Sequence, residues 1–329
     1  MKKWTLPSVV LIVLLYREGV AETTDFTPAN QFFKLPETIT LGACSRVALD
    51  SMENIYLFHR GKQPIICVDR NGKFLRSWGD DTIDTAHGLN IDRDDNVFVT
   101  DISNHQVFKF SPKGKLLLTL GKTGTAGDGV DEFNKPTDVA FGPQGEIYVS
   151  DGYGNSRVMK FTPIGGFLAQ WGEPGNGPGQ FDLPHTIVTD NKNRVVVGDR
   201  ENDRIQVFDE HGKLLEIWTG SAPFGLAYDQ TRNLFVADGR ANKVLQIDAK
   251  GKVVGPWGAE GAKPVYFQLP LGKIGGKPLW IQDDETPNCD CGSKMKFVAL
   301  FEEHAGGGIN FCGGGKGYAF TCRNCHDQA

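Results

Sequence analysis

Hydrophobic and polar residues alternate in short runs along the body of this chain, and the runs recur in blocks. Five blocks share one layout: an apolar entry, an Asp-rich turn, a strand of β-branched and aromatic residues, and a further strand that ends near Trp-Gly. The strings Ile147-Tyr148-Val149 and Val195-Val196-Val197 are strongly β-prone. The pattern predicts three short strands per block, with a fourth supplied by the segment that joins consecutive blocks.

One aspartate marks the same place in four of the blocks. These residues are Asp101, Asp151, Asp199 and Asp238. Successive members lie roughly 40 to 50 residues apart, and a four-stranded repeat of that length is a β-propeller blade. The sequence therefore predicts an all-β fold with five clear blades over residues 30–270, and a β-helix or β-sandwich is the alternative. A sixth blade stays open, because residues 30–43 could add a closing strand and residues 259–271 could begin another blade.

Composition agrees with an all-β array. The chain has 41 glycines among 329 residues, and excess glycine is typical of many tight turns between short strands. Its 21 Phe and 6 Trp exclude global disorder. A formal net charge of −5 disfavours a nucleic-acid partner, since phosphate binding needs clustered Lys and Arg.

The N-terminus has the pattern of a targeting segment. Lys2 and Lys3 precede an apolar run over residues 6–16, and Gly19-Val20-Ala21 offers small residues for cleavage. The run is shorter than the roughly 20 residues that a membrane-spanning helix needs. We therefore predict a signal peptide over residues 1–21 and a secreted or extracytoplasmic protein, with no membrane span after cleavage; an uncleaved anchor is the alternative.

Histidine recurs where two of the blocks begin. His87 lies in Ala86-His87-Gly88, and His185 lies at the same register in Pro184-His185-Thr186. Equivalent registers of a propeller converge on the central channel, so the two imidazoles are expected to face each other. Two converging imidazoles suit Zn²⁺. The alternative for each histidine is a hydrogen-bonded strand end.

Three long polar side chains directly follow strands that the pattern predicts to be buried. They are Arg60, Tyr153 and Arg200, in the strings FHRG, SDGYGNSR and GDRENDRIQ. A solvated loop is the alternative interpretation of each. The strings VALDSMENIYLFHRG, AHGLNID, SDGYGNSRV and DRENDRIQVF resemble the peptidyl-α-hydroxyglycine α-amidating lyase family, whose bacterial relatives are NHL-repeat propellers. The resemblance covers about residues 44–258.

The resemblance implies a role for each of these residues. Tyr153 is the catalytic tyrosine, Arg60 and Arg200 are the active-site arginines, and His87 and His185 are two of three zinc ligands. The implied substrate is a peptide or small carbinolamide, which is cleaved to an amide and glyoxylate. Zinc bound to the substrate hydroxyl would ease loss of its proton, Tyr153 would accept that proton, and arginine would clamp the carboxylate.

The resemblance also implies calcium, held by the backbone carbonyls of Val47 and Leu89. Other family features are missing from the sequence. Leu271 stands where the third zinc histidine is expected, the neighbouring calcium-binding aspartate is absent, and Gly154 replaces a disulfide cysteine of the tyrosine loop. A non-catalytic NHL-repeat propeller that binds a peptide or protein is therefore the alternative function. The sequence leaves the oligomeric state unknown.

The pattern changes over residues 271–329, which are rich in cysteine and glycine. The strings KIGGKPLWIQ and TPNCDCGSKMKFVAL resemble part of the cysteine-bearing module of YwqG-type bacterial proteins. Two cysteine pairs stand out: Cys289 with Cys291, and Cys322 with Cys325. Four converging thiolates bind zinc, whereas cysteines of a secreted protein form disulfides, so a second zinc site, disulfides and free thiols all stay open. His304 and His326 are further candidates for the missing zinc ligand.

Overall fold

Five four-stranded antiparallel sheets make up the body of the molecule, in a computed structural model that describes residues 32–229, 232–241, 243–257, 296–302 and 316–321. Within each sheet the strands lie side by side in chain order. The prediction of an all-β fold with five blades is confirmed. Among the described residues no helix is both long and apolar enough to cross a membrane.

The first blade comprises β1 (Cys44–Leu49), β2 (Ile55–His59), β3 (Ile65–Val68) and β4 (Phe74–Trp78). The second comprises β5 (Ala86–Ile91), β6 (Val97–Asp101), β7 (Gln106–Phe110) and β8 (Leu116–Leu120). The third comprises β9 (Asp138–Phe141), β10 (Ile147–Asp151), β11 (Arg157–Phe161) and β12 (Phe167–Trp171). The fourth comprises β13 (Pro184–Thr189), β14 (Val195–Asp199), β15 (Arg204–Phe208) and β16 (Leu214–Thr219). The fifth comprises β17 (Pro223–Tyr228), β18 (Leu234–Asp238), β19 (Lys243–Ile247) and β20 (Val253–Trp257).

Burial is greatest in the middle of each blade. Every residue of the second strands β2, β6, β10, β14 and β18 is buried, whereas the fourth strands β8 and β12 are largely exposed. The first strands of consecutive blades contact each other, β1 with β5, β5 with β9, β9 with β13, and β13 with β17. These first strands therefore line the axis of the propeller. They fall largely on the apolar entry with which each block begins, so the expectation that the joining segments supply the fourth strand is wrong.

The repeated aspartates end the second strands and hold the segment that enters the same blade. Asp151 accepts a hydrogen bond from the Asn134 amide, and Asp199 accepts one from the Asp182 amide, both at 2.8 Å. Both carboxylates are fully buried. A buried carboxylate needs hydrogen-bond donors, and the backbone amides of the entering segment supply them. This contact explains why aspartate recurs at the same position of the repeat.

Residues 32–43 differ from the expected closing strand. They make one isolated bridge, between Lys34 and Lys73 of the first blade, and Phe32, Phe33 and Leu35 pack against the core of that blade. The apolar residues of this segment thus serve packing and not strand pairing.

The predicted signal peptide and residues 259–271 lie outside the described residues. So do Leu271, His304, His326 and the four tail cysteines Cys289, Cys291, Cys322 and Cys325. Within residues 271–329 the structure describes one antiparallel pair, β21 (Lys296–Glu302) with β22 (Lys316–Thr321). The boundary near residue 270, the signal peptide and the state of these cysteines stay predictions.

Candidate active site

A tyrosine and two histidines meet at one end of the propeller axis. The Tyr153 Oη lies 3.2 Å from the His87 Nε2 and 3.3 Å from the His185 Nε2. The two imidazole centroids are 4.9 Å apart. Both histidines are buried, while the Tyr153 side chain is 37% exposed. The blades therefore enclose the histidine side of the cluster, and the tyrosine side is accessible to a ligand.

The propeller repeat places the two histidines. Each is the second residue of an axial strand, His87 in β5 and His185 in β13. The residue after His87 is Gly88, where a Cβ would lie 2.5 Å from the Thr137 carbonyl oxygen. Glycine thus allows β5 to approach the third blade closely enough for the His87 ring to reach the Thr137 carbonyl.

Tyr153 reaches the histidines because its loop, between β10 and β11, lies against the fourth blade. A Cβ on Gly152 would clash with the Pro184 carbonyl, so only glycine permits this approach. Two backbone hydrogen bonds hold the loop from the other side: Tyr153 N donates to Lys135 O at 3.4 Å and Gly154 N to Asn134 O at 2.8 Å. The loop is fixed by backbone contacts at the position where the family resemblance expects a disulfide.

Backbone carbonyls fix the tautomer of both histidines. The His87 Nδ1 lies 2.6 Å from the Thr137 oxygen, and the His185 Nδ1 lies 2.9 Å from the Phe224 oxygen. A carbonyl only accepts hydrogen bonds, so each Nδ1 carries a proton and each neutral ring presents an unprotonated Nε2. Tyr153 has one hydroxyl proton for two such acceptors. The Tyr153 hydroxyl can therefore donate a hydrogen bond to only one of the two Nε2 atoms, and the lone pair of the other receives none from it.

Electrostatics keep both imidazoles neutral. Burial and then the Arg60 charge lower the pKa of His87 to about 3. Burial and then the Arg200 charge lower the pKa of His185 well below its ordinary value. Neutral imidazole with a free Nε2 is the form that binds metal ions.

Two arginines flank the tyrosine. Arg60, directly after β2, donates from Nε to the Ala86 oxygen at 3.1 Å. Burial lowers the pKa of Arg60, and its interaction with Tyr153 opposes that shift. Arg200, directly after β14, donates from Nε to Glu201 at 2.8 Å. Both guanidinium groups lie beside the Tyr153 side chain.

The guanidinium of Arg200 lies between two aromatic rings. Its central carbon is 5.8 Å from the centre of the Tyr153 ring and 4.8 Å from that of Phe224. Phe224 was not among the predicted site residues, although Pro223-Phe224-Gly225 occupies the register of the two histidine triplets in the fifth blade. From this shared register the sequence could have predicted that Phe224 lies next to the two histidines.

The five residues predicted for catalysis and for the zinc site of the propeller thus lie together at this end of the axis: His87, His185, Tyr153, Arg60 and Arg200. In the part of the chain that the structure describes, no group of three or more His, Cys, Asp or Glu side chains could hold a metal ion. Among the described residues the two histidines therefore have no His, Cys, Asp or Glu side chain as a third ligand. Val47 and Leu89 lie on the axial strands β1 and β5.

Comparison with known proteins supports both the repeat and the resemblance. The NHL repeat family matches residues 133–161 and 181–208. Peptidyl-glycine alpha-amidating monooxygenase of Mus musculus is 40% identical over 200 residues, which are 51% of this chain and 20% of that protein. A probable peptidyl-alpha-hydroxyglycine alpha-amidating lyase of Caenorhabditis elegans is 38% identical over 148 residues, 44% of this chain and 42% of that protein. The chain thus spans a fifth to two fifths of these relatives, and the predicted resemblance is confirmed.

The chain is also similar to an NHL-repeat protein and to a solved lyase structure. NHL repeat-containing protein 3 of Homo sapiens is 36% identical over 202 residues, which are 56% of this chain and 57% of that protein. A solved streptogramin B lyase structure matches with a TM-score of 0.54 and 18% identity, over 68% of this chain and 70% of that chain. At that identity the likeness shows the propeller fold alone.

Proposed function

We propose that this chain, whose sequence is similar to the peptidyl-α-hydroxyglycine α-amidating lyases, is a carbon–nitrogen lyase that cleaves a carbinolamide to an amide and glyoxylate. One observation carries the proposal. The Tyr153 hydroxyl lies between the unprotonated Nε2 atoms of His87 and His185, at 3.2 and 3.3 Å, with two arginines beside it. The predicted signal peptide would place this activity outside the cytoplasm.

The two arginines suit a substrate that ends in a carboxylate. A peptidyl α-hydroxyglycine has its hydroxyl and amide nitrogen on one carbon, with the carboxylate on the next. A guanidinium fork binds a carboxylate through two parallel hydrogen bonds. With the carboxylate held by Arg60 or Arg200, the substrate hydroxyl would lie over Tyr153 and the two histidines.

Tyr153 is the group that moves the proton. Cleavage removes the hydroxyl proton, forms the glyoxylate carbonyl from the C–O bond, and breaks the C–N bond, with the amide nitrogen receiving a proton. A tyrosine accepts a proton only from its phenolate form, so Tyr153 would enter this step ionised and leave it as the phenol. Arg60 interacts electrostatically with Tyr153, and the central guanidinium carbon of Arg200 is 5.8 Å from the centre of the Tyr153 ring.

The histidine pair fits a zinc ion in ligand type and protonation. Both Nδ1 atoms donate to backbone carbonyls, the usual outer contact of a metal-bound histidine, and both Nε2 atoms point at one place. The nitrogen lone pair that the phenol proton cannot satisfy is a second reason to expect a cation. His87 and His185 would hold the ion, which would supply Lewis-acid polarisation of the substrate hydroxyl. A further ligand would have to come from solvent, substrate or a residue beyond those described.

The second candidate function is a peptide-binding propeller without catalysis. Among the described residues the cluster at Tyr153 has two histidines and no third His, Cys, Asp or Glu, whereas zinc sites usually have three or four protein ligands. NHL repeat-containing protein 3, a relative of similar identity, has a name that states no reaction. In this case the same arginines would bind a peptide carboxylate and release it unchanged.

One assay distinguishes the two functions. The full chain is purified, its zinc content is measured, and it is incubated with a peptide that ends in α-hydroxyglycine and, as control, with the same peptide ending in glycine. The proposal expects glyoxylate and peptide amide in equal amounts from the first peptide and neither from the second. Binding of the first peptide without glyoxylate, in protein supplied with zinc, would establish the non-catalytic function instead.

A further inference from the structure

A largely buried ion pair links the axial strands of two blades that are not neighbours. Arg46 lies on β1 of the first blade, and its Nη2 donates to the Asp138 Oδ2 at 2.8 Å. Asp138 is the first residue of β9, in the third blade. In a ring of blades the first and third are not neighbours, so the Arg46 side chain spans the channel. Asp138 is 1% exposed, and the Arg46 side chain is 19% exposed.

The pair is part of a network that joins four blades. Thr186 of the fourth blade donates to the Asp138 Oδ2 at 2.9 Å and lies 3.5 Å from the Arg46 Nη1. The Leu226 amide of the fifth blade donates to the same threonine hydroxyl at 3.2 Å. The Asp138 Oδ2 also accepts from the Ile187 amide at 3.2 Å. One cation and one carboxylate thus hold the first, third, fourth and fifth blades around the axis.

The carboxylate depends on its cation. Burial raises the pKa of Asp138, and the Arg46 charge with the hydrogen bonds from Thr186 and two backbone amides opposes that shift. A buried carboxylate without a counter-charge is strongly unfavourable. Arg46 therefore neutralises Asp138 where the side chains of several blades converge.

These residues do not fit the calcium ion that the family resemblance implies for Val47 and Leu89. Calcium takes six to eight oxygen ligands, carboxylates among them. Here the channel carboxylate is already bound by a guanidinium and three further donors. A second cation close to Arg46 would be repelled by it. Arg46 also directly precedes Val47, one of the two residues that the resemblance assigns to calcium.

We propose that the Arg46 guanidinium is the resident cation of the axial channel and takes the place of a bound calcium ion. The propeller then assembles its axial strands, including those that carry His87 and His185, without calcium. Arg46 is a positioning residue in this account, since it touches none of the proposed reacting groups. The proposal stands whether or not the chain is a lyase, because it concerns how the blades are held.

The first test compares the thermal unfolding of the full chain in CaCl₂ and in EGTA. We expect the same Tm, within about a degree, and no calcium in the dialysed protein by elemental analysis. A lower Tm in EGTA that calcium restores would overturn the proposal, because it would show that a calcium ion supports the native fold.

The second test removes the cation. Arg46→Met should lower the Tm by roughly 10 °C, as expected for breaking a buried pair in a chain of this size. Arg46→Met combined with Asp138→Asn should cost less than the sum of the two single changes, because the uncompensated carboxylate is gone. Arg46→Lys keeps the charge, so its Tm should lie between those of Arg46→Met and the wild type. If Arg46→Met does not fold, Arg46→Lys takes its place in this comparison. A wild-type Tm in Arg46→Met, or strict additivity with Asp138→Asn, would contradict the role of Arg46.

The third test asks whether the vacated channel accepts calcium. Arg46→Gly should show a Tm that rises with millimolar CaCl₂. The matched control is Arg204→Gly, which breaks another buried Arg–Asp pair, with Asp199 at 2.7 Å, within the fourth blade. The control should lose stability and show no response to calcium. A calcium response in both variants, or in neither, would refute the replacement. None of these readouts involves glyoxylate release, so they are independent of the proposed lyase reaction.

Discussion

The two neutral histidines should make the protein sensitive to mild acid. In the folded protein the pKa of His87 is about 3 and that of His185 is well below the ordinary value, mainly because both rings are buried. In the unfolded chain both have a pKa of about 6.5. Below that value the unfolded state binds more protons than the folded state, so stability is present above pH 6.5 and is lost as the pH falls.

The magnitude follows from proton linkage. At pH 5.5, one unit below the unfolded pKa, protonation of the unfolded chain lowers the unfolding free energy by about 1.4 kcal/mol for each histidine that stays neutral when folded. At pH 7.5 the same contribution is below about 0.1 kcal/mol. His87 and His185 together should therefore cost about 3 kcal/mol between pH 7.5 and pH 5.5.

Urea unfolding of the metal-free full chain, with chelator present, measures this loss. His87→Asn with His185→Asn is the informative variant, since the asparagine amide can still donate to the Thr137 and Phe224 carbonyls but does not titrate. The variant should lack about 3 kcal/mol of the wild-type pH dependence. His211→Asn is the control, because the His211 side chain is 80% exposed and should change nothing. Buried aspartates with raised pKa values act equally in all three proteins and cancel. An equal pH dependence in wild type and double variant would refute the neutral-histidine account.

Three substitutions test the proposed site. Phe224→Ala removes the ring that lies on the Arg200 guanidinium, and it should raise KM by roughly 2- to 30-fold, the value of a cation–π contact, while Phe224→Tyr should not; an unchanged KM in the alanine variant would contradict the positioning role. Arg60→Lys keeps the charge but loses the planar fork, so steady-state kinetics should show kcat/KM lowered by about tenfold or more, and a wild-type value would show that Arg60 makes no bidentate contact. His185→Asn should reduce the zinc content of the purified chain, as measured by elemental analysis after dialysis; full retention would place the ion elsewhere, as in the cysteine-rich tail.

Local pattern predicted most of the propeller. Strand β10 was predictable because Ile147-Tyr148-Val149 is β-branched and aromatic and because Asp151 recurs at a blade-length spacing. The shared register of His87 and His185 predicted their convergence for the same reason, since a repeat converts sequence spacing into spatial equivalence. Residues 32–43 were less predictable, because apolar side chains that pack on a sheet have the same composition as those of an edge strand.

The local sequence pattern did not predict the contacts between blades. The reach of Tyr153 to both Nε2 atoms depends on how closely Gly152 lets one loop approach the next blade, which no local signal encodes. Arg46 is similar: a single arginine at the start of an axial strand gives no indication that its partner lies about 90 residues further along the chain, in a non-adjacent blade. Phe224, by contrast, was predictable, because it occupies the same register as the two histidines.

The turnover of Tyr153→Phe tests whether the Tyr153 hydroxyl transfers the proton. The Tyr153 hydroxyl contacts the two histidine side chains and the residue is 37% exposed, so the variant should keep the wild-type circular dichroism spectrum and a Tm within a few degrees. With a peptide that ends in α-hydroxyglycine, and with zinc supplied, kcat for glyoxylate release should fall by at least about a hundredfold, as for loss of a general base, while KM stays within a few-fold of wild type. A wild-type kcat in Tyr153→Phe would contradict the assignment of the proton transfer to Tyr153.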